Sequence, residues 1–268
     1  MRKLLTSGAV AVGMLLASCT PANRVVENPL IGAANTMTLD FPKIELSDTA
    51  TVLHVDAYFR PHNCIRIDAG TYLLADGQKY MLQGSEGILP DSLFWMPDSG
   101  EASFVLKFGP LPRGTKSFDF IESDCDDCFK LYGVDLTGKK EYPRYPEGLP
   151  RALRKAPEDG PVPEPILAVG TTTVNVRLLG YRRGMVKEVA MYVNSLLNGQ
   201  EEHTAAIDPE SGTATLRFEQ YGTAMAYVSC GPVFGMCWIA PGETLDMYIA
   251  MEAVSYTHLR AHETLANL

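Results

Sequence analysis

Between residues 40 and 140 the sequence breaks into short apolar runs whose side chains alternate with a period of two, and that period commits a chain to β-structure. "TVLHVDAYF" (51–59) puts Leu53, Val55, Ala57 and Phe59 in one phase and Val52, His54, Asp56 and Tyr58 in the other. "TYLLADGQKYML" carries Asp76-Gly77 between two apolar runs, and because both turn residues tolerate positive φ a hairpin is expected there. "ASFVLKFGPL", "KSFDFIE" and "FKLYGVDL" extend the pattern. No stretch in this range has the spacing of an amphipathic helix.

The pattern stops at residues 143–165, "PRYPEGLPRALRKAPEDGPVPEP", which hold seven of the chain's 18 prolines. Proline fixes φ and removes a backbone donor, so this segment reads as a linker with one helical turn at "LPRALRK". Strands resume with "TTTVNVRLLGY", "KEVAMYVNSLL", "HTAAID", "TATLRFEQ", "AMAYVSC", "MCWIA" and "TLDMYIAM", with turns marked at Asn198-Gly199 and Pro241-Gly242. Many short strands at near-regular spacing predict an all-β fold of two β-sandwich, immunoglobulin-like domains, 36–142 and 166–253, joined by the Pro-rich linker 143–165. A hydrophobic fraction of 46% and a charged fraction of 21% are those of an ordinary globular protein, so each domain is expected to have its own core.

The two ends read differently from this interior. Residues 1–18 have a basic start, an apolar stretch from Leu4 to Leu16 and small residues before a cysteine, the layout of a secretory signal too short to span a bilayer. Leu16-Ala17-Ser18-Cys19 resembles the bacterial lipobox, which implies cleavage before Cys19, lipid on its thiol, and a tether over 19–35. No acidic cluster follows Cys19, so the expected place is the bacterial cell envelope, lipid-anchored at the outer membrane and facing the periplasm. At the other end "VSYTHLRAHET" (254–264) resembles the translation of a transposase adapter used in sequencing libraries, and 254–268 is therefore expected to be an artefact. His258 and His262, four apart in this tail, then carry no metal-binding weight despite their spacing.

The net charge is -9, and since the first 18 residues carry Arg2 and Lys3 with no acid, the remainder carries -11. Nucleic-acid binding rests on neutralising phosphates, so a nucleic-acid partner is excluded by this balance. No glycine-rich phosphate loop is present, and no cofactor is expected.

"FIESDCDDCFKLYG" (120–133) raises the question of chemistry most directly, because Cys125 and Cys128 could form a redox dithiol, half a metal site, a small disulfide or an inert loop. A catalytic dithiol needs its first cysteine at a helix N-terminus, where the dipole lowers the thiol pKa. Strand-like runs flank this pair instead, and Glu122, Asp124, Asp126 and Asp127 disfavour a thiolate. A zinc site would need a second ligand pair, and the chain has no other C-x-x-C. The weight falls on a structural disulfide or a plain loop. In "SCGPVFGMCW" a turn centred on Gly231 to Gly235 would set Cys230 nearly opposite Cys237, which makes a cross-strand disulfide a candidate in an exported protein and leaves Cys64 unpaired.

Other residue types offer little. "GSEG" (84–87) is not a G-x-S-x-G elbow. His54 sits on the polar phase of its strand and reads as solvated, while His62 and His203 lie near loops. Glu201-Glu202 reads as a wet strand end, and no metal site is expected. Phe94 and Trp95 could form an aromatic contact patch, but burial between sheets is the expected fate of Trp95.

"MPDSGEASFVLKFGPLP", "TKSFDFIESD" and "FKLYGVDL", together with "GTTTVNVRLLGY", "DPESGTATLRFEQYGTAMAYV" and "IAPGETLDMYIAM", resemble the N-terminal β-sandwich region of bacterial lipoproteins that end in a TlpA-like, thioredoxin-fold disulfide reductase domain. The resemblance covers roughly 36–253. It implies a non-catalytic, lipid-anchored accessory region that acts as spacer, dimerisation module or presenter of client proteins. A reductase of that family needs a Trp-Cys-x-x-Cys motif opening a helix, and Cys125 and Cys128 do not match it. The expectation is that the catalytic domain lies beyond residue 253. The other reading is a surface lipoprotein that binds glycan or protein directly.

Overall fold

The structure is a computed structural model that describes residues 24–125, 127–155, 164–195 and 199–251. The signal segment, Cys19, and the tail with His258 and His262 lie outside the described residues, as do Asp126, Asn198 and 156–163 of the linker.

The described chain is all-β. Eleven strands form the N-terminal body: β1 (Arg24–Glu27), β2 (Ala33–Ala34), β3 (Leu39–Leu46), β4 (Thr51–Tyr58), β5 (Cys64–Ile65), β6 (Tyr72–Ala75), β7 (Gln78–Glu86), β8 (Phe94–Trp95), β9 (Glu101–Phe108), β10 (Ser117–Ile121) and β11 (Lys130–Asp135). Nine of them hydrogen-bond in the order β1-β3-β4-β9-β7-β6-β10-β11-β2, and β5 pairs with β8 as a separate ribbon. Strand β7 turns this run into two layers. Its first residues pair with β6 and its last with β9, with a register shift between Leu82 and Gly84 that lets the strand change sheets.

The period of two is realised as expected. Strand β4 buries Thr51, Leu53, Val55 and Ala57 and leaves the alternate residues half-exposed. Asp76 and Gly77 take φ of 48° and 75° and close the β6–β7 hairpin. Phe41, Phe108, Phe118 and Phe120 are fully buried in the core between the layers.

The tether expected over 19–35 is corrected from Arg24 onward. Strand β1 pairs with β3 and buries Val26, and β2 pairs with β11 and buries both its alanines. Runs of four and two residues are too short to show a period, and only their partners reveal them.

The C-terminal body has β12 (Gly170–Leu179), β13 (Glu188–Ser195), β14 (Gly199–Ala206), β15 (Thr213–Gln220), β16 (Ala224–Cys230), β17 (Val233–Ile239) and β18 (Thr244–Ala250). They form a three-stranded sheet, β15-β12-β18, and a four-stranded sheet, β14-β13-β16-β17. Strands β12 and β18 run parallel, and this order is not the ABED/CFG arrangement of immunoglobulin constant domains. In the preceding segment a single 3₁₀ turn, Arg151–Arg154, stands where the helical turn was expected.

The cores are not cleanly separate. Ala33, Tyr72, Ile121 and Tyr132 of the N-terminal body belong to the same apolar cluster as Met185, Val189 and Met251 of the C-terminal one. Lys130 Nζ donates to Gly184 O at 2.9 Å, and Ala34 N donates to Met251 O at 3.3 Å. The outer face of β2, β11, β10 and β6 is therefore an internal contact.

Candidate interaction surface

The cysteine loop lies at the edge of that contact. Cys125 and Cys128 are joined by a disulfide, S–S 2.01 Å, in the loop between the antiparallel strands β10 and β11. Cys125 is exposed and Cys128 is buried. Three neighbours fix the loop. Glu122 turns inward and accepts from Asp68 N at 3.2 Å and Phe129 N at 2.8 Å. Asn35 donates to Cys128 O and accepts from Lys130 N, both at 2.8 Å. Asp124 accepts from the Tyr72 hydroxyl at 2.9 Å, while Lys79 sits over the Tyr72 ring at 3.9 Å. No helix begins here, and the exposed carboxylates of Asp124 and Asp127 oppose thiolate formation at Cys125.

This geometry is that of a clip. Closing so short a loop lowers chain entropy by an amount equivalent to about 2 kcal/mol. Dithiothreitol should therefore lower the unfolding free energy by that amount, seen as a lower urea midpoint, without unfolding the chain, because the Glu122 and Asn35 bonds remain. Equilibrium denaturation with and without reductant measures it.

Cys230 and Cys237 are corrected. The β16–β17 turn is tighter than expected, only Gly231 and Pro232, with Gly231 at φ 54°. Cys230 therefore faces Val233 and Cys237 faces Ala226, so the two thiols sit at different levels of the ladder and both are free. Burial pushes the Cys230 thiol up to about 11 and raises that of Cys237 as well, so both are poor nucleophiles at neutral pH. Cys64, on β5, is also free.

Each of the described histidines is held by a named neighbour. His54 Nε2 lies 2.9 Å from Glu45 Oε1, a pairing that the reading as a solvated residue missed. His203 is on strand β14, within the run expected to be a strand, and stacks on Phe218 with centroids 4.1 Å apart. His62 is exposed and 3.5 Å from Asp98. Among the described residues no group of three or more His, Cys, Asp and Glu side chains converges on a metal-binding arrangement. No helix among them is long and apolar enough to cross a membrane.

What the fold does bring together is apolar surface. Trp95, expected between the sheets, is 63% exposed, because β5 and β8 form a ribbon outside the main sheet in which Phe94 turns to the core and Trp95 away from it. A larger patch lies on the C-terminal body. Strand β17, the edge of its sheet, sends Val233 and Cys237 toward the core and leaves Phe234, Met236 and Trp238 at 66%, 66% and 54% exposure. Beside them on β16 lie Met225 opposite Trp238, Tyr227 opposite Met236, and Tyr227 stacked on Phe234 at 5.8 Å. With aromatic side chains burying about 200 Å² each, the three β17 residues alone present roughly 350 Å² of apolar surface, the size at which a patch marks an interaction site. The signal was in "VFGMCWI", where large apolar residues occupy both phases of a strand. Because this sheet is covered on one face, the phase of Phe234, Met236 and Trp238 faces outward.

In comparisons with known proteins, no family model matches the chain, and no curated protein does either.

Proposed function

We propose that the chain is the non-catalytic accessory region of a cell-envelope thiol-disulfide oxidoreductase, held at the membrane by lipid on Cys19 and engaged in protein contacts through its C-terminal body. The observation that carries the interaction role is the uncovered face of β16 and β17, because soluble chains rarely leave so many large apolar side chains contiguous in water without a partner. The oxidoreductase assignment is supported by the resemblance of residues 36–253 to the β-sandwich region of TlpA-like lipoproteins. In this reading Cys125 and Cys128 serve the fold, and the catalytic pair belongs to a separate thioredoxin-fold domain.

The gene sequence beyond the codon for Ala253 tests the assignment. A downstream Trp-Cys-x-x-Cys motif is the expected result, and a natural stop codon or further β-sandwiches would sink it. The chain itself should show no turnover in an insulin-reduction assay; activity abolished by Cys125→Ser would reverse the non-catalytic reading. The lipid anchor predicts that labelled palmitate is incorporated into the protein and that Cys19→Ala abolishes labelling.

A second reading, direct binding of glycan or protein by a surface lipoprotein, is favoured by the exposed Trp95, whose face is free to stack on a sugar ring. A glycan array probed with the protein and its Trp95→Ala variant separates it from the first.

A further inference from the structure

An edge strand exposes unpaired backbone donors and acceptors, and chains ordinarily protect such edges with charge, proline or a bulge. Three of the four edges of the C-terminal body follow this rule. Strand β14 carries Glu201 and Glu202, β15 carries Arg217 and Glu219, and β18 carries Asp246. Strand β17 does not. Residues 230–242, "CGPVFGMCWIAPG", contain no charged side chain, and Pro232 lies in the turn rather than in the strand.

The exposed side chains of β17 also have a symmetry. The strand has seven residues, Met236 is its centre, and Phe234 and Trp238 lie two positions to either side on the same face. An antiparallel copy paired about Met236 would set Phe234 of one chain opposite Trp238 of the other, and Met236 opposite Met236. On the inner face Val233 would meet Ile239, and Gly235 would meet Cys237. All these pairs are apolar or small, and a two-fold contact requires such self-complementarity.

Charge selects the occupant. The chain has a net charge of -9, so two copies repel wherever their acidic edges approach. The uncharged β17 edge is where like chains can join sheets at least electrostatic cost. Edge pairing would set Phe234, Met236 and Trp238 beside their counterparts on the same face of the joined sheet, so apolar cross-strand contacts add to the backbone hydrogen bonds of the new ladder.

We infer that β17 is a homodimerisation edge, at which two copies pair antiparallel about Met236 and join their four-stranded sheets into one of eight strands. This deepens the interaction role proposed above by naming the partner as a second copy of the chain. It rests on that reading only for the statement that this part of the chain engages a protein.

The register gives a specific test. A Cβ built on Gly235 meets nothing within 4 Å, so Gly235→Cys is accommodated by the protomer. In the full chain carrying Cys19→Ala, so that lipid cannot bring copies together, Gly235→Cys should yield a covalent dimer through Cys237 of the second copy on mild oxidation. The dimer should be lost in Gly235→Cys/Cys237→Ser. Without oxidation, sedimentation equilibrium should show a dimer for the Cys19→Ala chain. Met236→Lys, which sets two ammonium groups at the two-fold axis, should weaken it at least tenfold with an unchanged circular dichroism spectrum. A chain that stays monomeric at 100 μM, a dimer indifferent to Met236→Lys, or a cross-link that survives Cys237→Ser would each overturn the inference. A monomer that binds unfolded client protein through Trp238 would overturn self-association and leave the accessory role standing.

Discussion

Phe120→Ala is expected to destabilise the protein by about 4 kcal/mol, the cost of emptying a fully buried aromatic site. The residue is central to the N-terminal core. Its ring meets Phe41 edge-on at 5.4 Å and Phe108 edge-on at 6.3 Å, so its loss removes two aromatic contacts as well as buried area. Phe41 comes from β3, Phe108 from β9 and Phe120 from β10, which places the cluster between the two layers that β7 connects. Trp95→Ala, by contrast, removes a larger side chain and should change stability by less than about 0.5 kcal/mol, because that indole is already in water. Urea denaturation of both variants checks the contrast. A Trp95 variant as damaged as the Phe120 variant would mean that the β5–β8 ribbon is packed more deeply than its exposure indicates.

That pair of residues also marks how far the sequence could be read. Periodicity finds strands and assigns faces relative to one sheet, and it identified the buried phase of β4 and the Asp76-Gly77 hairpin because those depend on adjacent residues. It has no information about whether a run of two residues pairs inside a sheet or on a ribbon outside it. Phe94 and Trp95 are therefore alike in sequence and opposite in fate. The same limit hid β1 and β2 in the supposed tether. Their place is decided by their partners, β3 for β1 and the far more distant β11 for β2.

The cysteines show a finer version of this limit. The flanking strands of Cys125 and Cys128 are legible, and with them the absence of a helix N-terminus at the pair. The position of Cys237 depends on the turn length between β16 and β17, and a two-residue turn in place of a five-residue one moves every partner along the ladder. Once that register is set, Met225, Tyr227, Met236 and Trp238 line up on one outer face. The contact surface is thus a product of the same turn that removes the disulfide.

Glu122→Ala should cost about 3 kcal/mol at low pH, through the two backbone donors, Asp68 N and Phe129 N, that it leaves without an acceptor in a buried site. Burial raises the Glu122 carboxyl above its ordinary value of 4.5 and outweighs the two N–H groups that pull it down. A raised folded pKa means that the folded state holds this proton more tightly than the unfolded chain does. The stability it contributes is fully present below about pH 4.5 and is lost as pH rises through the folded value. The gap between wild type and Glu122→Ala should therefore be widest at pH 4 and narrow toward pH 7. The lowered carboxyls of Glu45, Asp48, Glu86, Asp135 and Asp208 titrate in both proteins and cancel in the difference. Urea denaturation of the pair at pH 4, 5, 6 and 7 gives the profile. A constant gap would mean that Glu122 keeps an ordinary carboxyl in the fold, and a widening one that the Asp68 and Phe129 donors, rather than burial, govern its charge. Because Glu122 holds the base of the hairpin loop, the sign of that slope also decides whether the disulfide clip is anchored by a buried acid or by an anion.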